Sequence, residues 1–145
     1  MAKVTAQTSK QVAAPPERVL GFLRDYRDAR PRILPDNYSA YRVEAGGEGA
    51  GTVVAYHLAA GRRERDYRLA VEESNGALRE RDQLSSFVST WTVAPNGSDS
   101  SNVTLEGSWD GAGGIAGIFE GLFAPLVVRR IYGEILNRLA AELEG

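Results

Sequence analysis

The fold is decided by a stretch in the middle of the chain, residues 49–71, which reads GAGTVVAYHLAAGRRERDYRLAV. Two rows of alternating, largely apolar residues stand on either side of Gly61: Val54, Tyr56 and Leu58, then Tyr67, Leu69 and Val71. Successive side chains of a strand point to opposite faces of a sheet, so each row predicts a strand with one buried face. The stretch therefore predicts two consecutive strands of an antiparallel meander.

Turn signals of the same kind continue on both sides of this stretch. Glycine pairs and Asn-Gly pairs divide residues 38–110 at strand-length intervals, which predicts about six strands. Two further rows would face the core, with Ser89 interrupting the first: Phe87, Trp91 and Val93, then Val103, Leu105 and Trp109.

The segment before the meander carries one more strand and two short helices. Residues 4–12 alternate loosely and predict a first strand. Pro15 and Pro16 precede apolar residues at spacings of three and four, which predicts a short amphipathic helix. Pro31 and Pro35 predict a short second turn followed by a loop within residues 28–37.

The remaining segment, residues 113–145, places apolar residues at helical spacings from Ile115 to Leu143. It predicts one long helix or two halves, with a kink or break just before Pro125. The glycine-rich entry at residues 111–117 lacks the spacing of a phosphate-binding loop and is interpreted as a flexible hinge.

Composition excludes several classes of protein. A chain of 145 residues fits one domain, residues 1–145, and its net charge of −2 gives no reason to bind nucleic acid. The absence of cysteine removes disulfides and thiolate metal sites, and no carboxylate cluster at ligand spacing surrounds the single histidine, so we predict no metal. We also expect no cofactor. Residues 1–12 lack the apolar core of a signal peptide, and no apolar run reaches the length of a membrane span. We expect a cytoplasmic protein without membrane insertion.

The charged residues of the meander are interpreted as mainly structural. Arginines alternate with acidic residues in 62–66 and 79–82, a pattern typical of solvated strand faces. Glu80 and Asp82 share one face of their strand, where solvation is favoured over general acid–base work. The alternation puts His57 on the convex face of the sheet, so it is a poor candidate for a catalytic base.

The order of elements resembles the helix-grip fold of the START-like (SRPBCC) superfamily, which includes pollen allergens, plant hormone receptors and polyketide cyclases. Four motifs carry the resemblance: VAAPPERVLGFLRDY at 12–26, GAGTVVAYHL at 49–58, WTVAP at 91–95 and NVTLEGSW at 102–109. It implies an α+β fold, with a seven-stranded curved antiparallel sheet around a long C-terminal helix and two short helices after the first strand.

Ligands of that superfamily lie between the concave sheet and the C-terminal helix. Matching positions here give the candidate ligand-binding residues Tyr56, Leu58, Tyr67, Leu69, Phe87, Ser89, Trp91, Val127, Ile131 and Ile135. Arg65 shares the parity of Tyr67, so in a regular strand its guanidinium reaches the cavity mouth; the alternative is an exposed arginine at the end of the strand. The alternative is a close-packed core, but the hydroxyls of Tyr56, Tyr67 and Ser89 need partners on an apolar face.

Three functions remain open at this point. The first is binding or carriage of an apolar small molecule such as a lipid, polyketide or aromatic metabolite. The second, implied by the resemblance, is a cyclase- or dehydratase-like enzyme in which Tyr67 or Arg65 polarises a carbonyl group. The third is a homodimeric regulatory or interaction protein that presents its C-terminal helix or an apolar patch at residues 115–123. The ligand, any catalytic residue and the strand register at residues 79–83 are not determined.

Overall fold

Seven antiparallel strands form one sheet in the computed structural model, which describes residues 3–111 and 123–144. The strands are β1 (Lys3–Val12), β2 (Tyr38–Ala45), β3 (Val53–Ala60), β4 (Arg63–Ser74), β5 (Ala77–Asp82), β6 (Val88–Pro95) and β7 (Ser101–Asp110). The helices are α1 (Pro16–Arg24), a 3₁₀ helix (Arg30–Ile33) and α2 (Pro125–Glu144). This arrangement confirms the predicted fold, in which the second short helix is a 3₁₀ turn.

The strand order is β1-β7-β6-β5-β4-β3-β2, so consecutive strands from β2 to β7 are neighbours. The first strand joins the far edge of this meander by pairing with β7 over its whole length, from Lys3 opposite Asp110 to Val12 opposite Ser101. Helix α2 contacts β1, β7 and the 3₁₀ helix. The sheet therefore curves around α2, and the helix covers its concave face.

Prolines mark the start of both α-helices in the described ranges. Helix α1 begins at Pro16 and α2 begins at Pro125, where the missing backbone N–H is tolerated. The predicted break before Pro125 is therefore a helix start. The predicted helical residues 113–122, most of the glycine-rich hinge and most of the apolar patch at 115–123 lie outside the described residues.

An apolar stripe on α2 joins the helix to the sheet. Its buried residues are Val128, Ile131, Tyr132, Ile135, Leu136, Leu139, Ala140 and Leu143. Glu134 and Arg138 form an ion pair at 3.2 Å on the exposed side of the helix. No helix in the described ranges is long and apolar enough to cross a membrane.

Strand β5 corrects one prediction. Leu78, Glu80 and Asp82 all point inward, and each is no more than 3% exposed, whereas Arg79 and Arg81 are exposed. The interpretation of Glu80 and Asp82 as solvated residues is therefore wrong. Strand parity decides the outcome, because Leu78 lies opposite Trp91 and fixes the inward face for every second residue after it.

Candidate functional site

A cavity of about 60 Å³ lies between the concave face of the sheet, the 3₁₀ helix and α2. All six tyrosines and both tryptophans of the chain line the cavity: Tyr26, Tyr38, Tyr41, Tyr56, Tyr67, Tyr132, Trp91 and Trp109. The cavity is thus mainly aromatic.

Four of these rings and Phe87 form a continuous aromatic wall across the sheet. Tyr56 lies opposite Tyr67 in the β3–β4 register, and their rings stack with centroids 5.4 Å apart. Tyr38 meets Tyr56 edge-on at 5.1 Å, and Phe87 meets Tyr67 edge-on at 5.3 Å. Phe87 also lies 6.3 Å from Trp109. These spacings are those of favourable aromatic pairs, so the wall presents ring faces and edges in fixed positions.

An irregularity in β2 brings two tyrosines to the same face. Tyr38 and Tyr41 are three residues apart, so a regular strand would point them to opposite sides of the sheet. The register to β3 shifts between Ser39 and Arg42, and Ala40 there adopts a positive φ of 54°. Both tyrosines consequently line the cavity.

A buried polar network closes one part of the cavity. Arg30 Nη2 lies 2.8 Å from Glu80 Oε2, and the Tyr26 hydroxyl donates to the same oxygen at 2.5 Å. Ser89, which faces Glu80 across β5 and β6, donates to Glu80 Oε1 at 2.9 Å. Two hydroxyl donors and one cation therefore engage the carboxylate, which is how a buried charge is accommodated.

Arg30 is enclosed by aromatic rings. Its Cζ lies 4.5 Å from the centroid of Tyr26 and 5.0 Å from that of Trp91, and the residue is 8% exposed. Nη1 donates to the Leu23 carbonyl at 3.0 Å, whereas Nε is buried without a hydrogen bond to any described residue. Burial lowers the pKa of Arg30, but Glu80, with smaller contributions from Tyr26 and Tyr41, outweighs it and raises the pKa above its ordinary value. Arg30 is thus a permanent cation, and its unused Nε is enclosed by protein and not accessible from the cavity.

Burial raises the pKa of every tyrosine in the chain. For Tyr67 the value rises to about 12, with Arg65 acting against the increase. The cavity hydroxyls are therefore neutral near pH 7 and serve as hydrogen-bond donors or acceptors, not as bases.

Gly107 gives Tyr132 room to approach the sheet. A Cβ atom at position 107 would lie 2.5 Å from the Tyr132 hydroxyl and 3.1 Å from the ring of Phe87. Gly107 lies opposite Ser89 in β6, and Ser89 lies opposite Glu80 in β5. A small residue here lets the α2 tyrosine reach the same row of the sheet as the polar network.

Arg65, predicted at the cavity mouth, is not among the lining residues. Its Nη2 pairs with Asp82 Oδ2 at 3.0 Å, and its Cζ lies 4.8 Å from the Tyr67 ring centroid. Asp82 also accepts hydrogen bonds from the Arg68 backbone at 3.0 Å and from the Ser85 hydroxyl at 2.6 Å. This carboxylate fastens the residues after β5 to β4, which gives Arg65 a structural partner.

Nine of the predicted ligand-binding residues line the cavity: Tyr56, Leu58, Tyr67, Leu69, Phe87, Ser89, Trp91, Ile131 and Ile135. Val127 does not, because the stripe that faces the cavity runs through Val128, Ile131, Tyr132 and Ile135. Sequence reasoning missed Tyr26, Arg30, Tyr38, Tyr41, Glu80 and Tyr132. Glu80 could have been found, because it has the same parity as the apolar Leu78. Tyr41 could not, because the irregularity in β2 has no signal in the sequence.

His57 lies away from the cavity, as its parity predicts. Its Nδ1 is 2.8 Å from Asp66 Oδ1, and its Nε2 is 3.1 Å from Glu64 Oε1. The hydrogen bond to Asp66 is the main cause of a raised His57 pKa. Within the described residues, no group of three histidine or acidic side chains could hold a metal ion.

Known proteins share this architecture. Solved structures that match include the KanY protein, at 44% identity with a TM-score of 0.89 and full coverage of both chains. The Zhui aromatase/cyclase from Streptomyces sp. R1128 matches at 19% identity and a TM-score of 0.71, over 99% of this chain and 94% of that one. Norcoclaurine synthase from Thalictrum flavum, solved with dopamine and hydroxybenzaldehyde, matches at 16% identity and a TM-score of 0.70, over 97% and 86%.

The last two similarities are too low in identity to show more than the fold. No curated protein matches the chain. The model of the family described as polyketide cyclase/dehydrase and lipid transport matches residues 1–144. With a match over nearly the whole chain, the protein belongs to the polyketide cyclase/dehydrase and lipid transport family.

Proposed function

We propose that the protein binds and carries a small, largely aromatic molecule in the cavity between the sheet and α2. The observation that carries the proposal is the gathering of every tyrosine and both tryptophans around one cavity with a polar network at one side. An apolar cavity with a few convergent polar groups is the usual form of a small-molecule site. Membership of a family named for polyketide cyclases and lipid transport supports the same conclusion.

The chemistry of the lining favours binding over catalysis by proton abstraction. Glu80 is the one carboxylate among the described lining residues, and three donors already engage it. The single histidine, His57, pairs with acidic residues elsewhere on the sheet. The described lining therefore offers no free base, and a general base must reach the proton that it removes.

The binding proposal can be tested by filling the cavity. Ile131 lines it, and Leu126 lies on the same helix but is 62% exposed, so Ile131→Trp and Leu126→Trp form a matched pair. We expect 2-naphthol to shift the amide NMR signals of lining residues in the wild type and in Leu126→Trp. Ile131→Trp is expected to weaken this binding at least about tenfold, because the indole side chain would fill the cavity and leave no room for the naphthol ring. Equal binding to both variants, or shifts confined to exposed residues, would contradict the proposal.

A second candidate is a cyclase- or dehydratase-like enzyme, and the hydroxyls of Tyr38, Tyr56 and Tyr132 in the cavity lining favour it. A fixed donor in a water-poor site stabilises negative charge that develops on a carbonyl oxygen. Such activity predicts that bound benzoylacetone exchanges its acidic methylene protons for deuterium faster than in buffer. Exchange that the protein leaves unchanged would favour simple carriage.

A further inference from the structure

We infer that a hydroxyl cluster, formed by Tyr38, Tyr56 and Tyr132, recognises the ligand, and that the ligand presents a neutral oxygen acceptor to it. The inference rests on the proposed function, since it names the chemical group that the cavity selects. The three residues come from β2, β3 and α2, so both walls of the cavity contribute. Their hydroxyls make no hydrogen bond to any described residue, and, unlike Arg30 Nε, none of these oxygens is fully enclosed by protein. A ligand in the cavity can therefore reach them.

The other three tyrosines of the cavity have partners within the protein. The Tyr26 hydroxyl donates to Glu80 Oε2 at 2.5 Å, and the Tyr41 hydroxyl donates to the Tyr26 carbonyl at 2.6 Å. Tyr67 lies beside Arg65, whose Cζ is 4.8 Å from the centroid of its ring. Polar groups that lack a protein partner at a cavity are expected to find one in water or in a ligand. Among the tyrosines, the hydroxyl cluster is thus the part of the lining that is available to a ligand.

The members of the hydroxyl cluster lie close to one another. The rings of Tyr38 and Tyr56 meet edge-on with centroids 5.1 Å apart. Tyr132 reaches toward them from α2, because Gly107 leaves room for its hydroxyl against the sheet. Burial is the main cause of the raised pKa of Tyr56, and the charges that Tyr38 and Tyr132 would carry when ionised raise it further. The hydroxyls therefore share one region of the cavity, where one small ligand can meet more than one of them.

Charge decides between a neutral oxygen and a carboxylate. Glu80 is the one acidic residue of the described lining, and Arg30 already neutralises it. Burial, with smaller contributions that include Glu80, raises the pKa of all three hydroxyls, so a full negative charge is disfavoured where they lie. A carboxylate would meet the same penalty, whereas a neutral oxygen accepts a hydrogen bond from a phenol without it. The hydroxyl cluster therefore favours a neutral acceptor such as a ketone.

Three compounds of nearly the same shape test the inference: acetophenone, α-methylstyrene and benzoate. They place a neutral oxygen, a methylene group and an anionic oxygen at the same position of one aromatic ring. At neutral pH we expect acetophenone to bind about two- to tenfold more tightly than α-methylstyrene, which is the effect of one hydrogen bond between neutral groups. Benzoate should bind more weakly than acetophenone. The dissociation constants are measured by NMR titration of the whole chain.

Tyrosine-to-phenylalanine variants remove one oxygen and keep the ring. The triple variant Tyr38→Phe, Tyr56→Phe and Tyr132→Phe should bind acetophenone and α-methylstyrene equally. It should also bind α-methylstyrene no more weakly than the wild type does, which separates a lost hydrogen bond from a damaged cavity. Each single variant is measured as well, and at least one should lower the preference for acetophenone about twofold or more.

Tyr41→Phe is the matched control for these variants. Tyr41 lines the same cavity, but its hydroxyl already donates to the Tyr26 carbonyl. The preference for acetophenone should therefore be the same in Tyr41→Phe as in the wild type.

Several outcomes would overturn the inference. Equal binding of acetophenone and α-methylstyrene to the wild type would show that water satisfies the hydroxyls equally well, and it would leave the proposed function standing. Tighter binding of benzoate would show that the hydroxyl cluster holds an anion. A preference for acetophenone that persists in the triple variant, or in all three single variants, would assign it to another donor. Failure of all three compounds, and of 2-naphthol, to bind in the cavity would remove both the inference and the proposed function.

Discussion

The tyrosines make the stability of this protein depend steeply on alkaline pH. All six have a pKa raised by burial, so the unfolded chain releases phenolic protons that the folded chain keeps. A tyrosine with a raised pKa in the folded state contributes stability that is fully present below about pH 10, its unfolded pKa. That contribution is lost as the pH rises from about 10 toward the folded value.

The magnitude follows from the number of buried phenols. At pH 11, one tyrosine that stays protonated only when folded costs about 1.4 kcal/mol of unfolding free energy relative to neutral pH. Tyr26, Tyr67 and Tyr132 are no more than 5% exposed and set a lower bound of about 4 kcal/mol. All six together give an upper bound of about 8 kcal/mol. Domains have a total stability of about 5–15 kcal/mol, so we expect unfolding near pH 11.

The assay follows tyrosinate absorbance and far-UV circular dichroism on the same samples from neutral pH to about pH 12. The chain suits it, because it contains no cysteine and its only lysines are Lys3 and Lys10. We expect both signals to change together in one steep transition. Tyr132→Phe should reduce the loss at pH 11 by about 1.4 kcal/mol. A gradual rise of absorbance centred near pH 10, with unchanged circular dichroism, would refute the reasoning.

Three further predictions concern the buried and exposed charges. Arg30→Met leaves the Glu80 carboxylate without its cation and should lower the free energy of unfolding, measured in urea, by about 3–5 kcal/mol. The double variant Arg30→Met with Glu80→Gln should lose less than about 2 kcal/mol, and additive losses would contradict this coupling. Asp82→Ala leaves several part-buried donors without their acceptor and should cost about 3 kcal/mol in the same assay. A loss below about 0.5 kcal/mol would show that these donors find water. The pKa of His57 should lie above 6.5 in an NMR titration and return toward 6.5 in Asp66→Asn. The stabilising contribution of His57 is therefore present below pH 6.5 and lost as the pH rises through the folded pKa. An unchanged pKa in the variant would rule out the pairing.

The parts of the fold that follow from periodicity were predictable from the sequence. The alternation of Val54, Tyr56 and Leu58 decides which face of β3 meets the core, because a strand repeats every two residues. Prolines fix the starts of α1 and α2 for an equally local reason. These signals need no knowledge of the partner strands, so one sequence is enough to read them.

The polar part of the site depends on contacts that no local pattern encodes. Tyr41 faces the cavity only because the register of β2 shifts around Ala40, a non-glycine residue that gives no turn signal. Arg30 belongs to a 3₁₀ turn that the flanking prolines mark as a loop, yet its side chain is buried. The parity of Leu78 indicates that Glu80 points inward. The alternating charges of β5 instead favour a solvated strand, and that second signal led to the wrong prediction.

Stability alone gives little reason for the cavity or for the buried ion pair beside it. An empty cavity of about 60 Å³ costs roughly 1.4 kcal/mol at 24 cal/mol per Å³. A buried pair such as Arg30 and Glu80 is often no more stable than apolar residues of the same size, and its unpaired Nε adds a further penalty. Both features occur at the same place, because Arg30 and Glu80 are among the residues that line the cavity. A ligand that fills the cavity would offset the cost of the empty space, which is the physical reason to regard this place as a binding site.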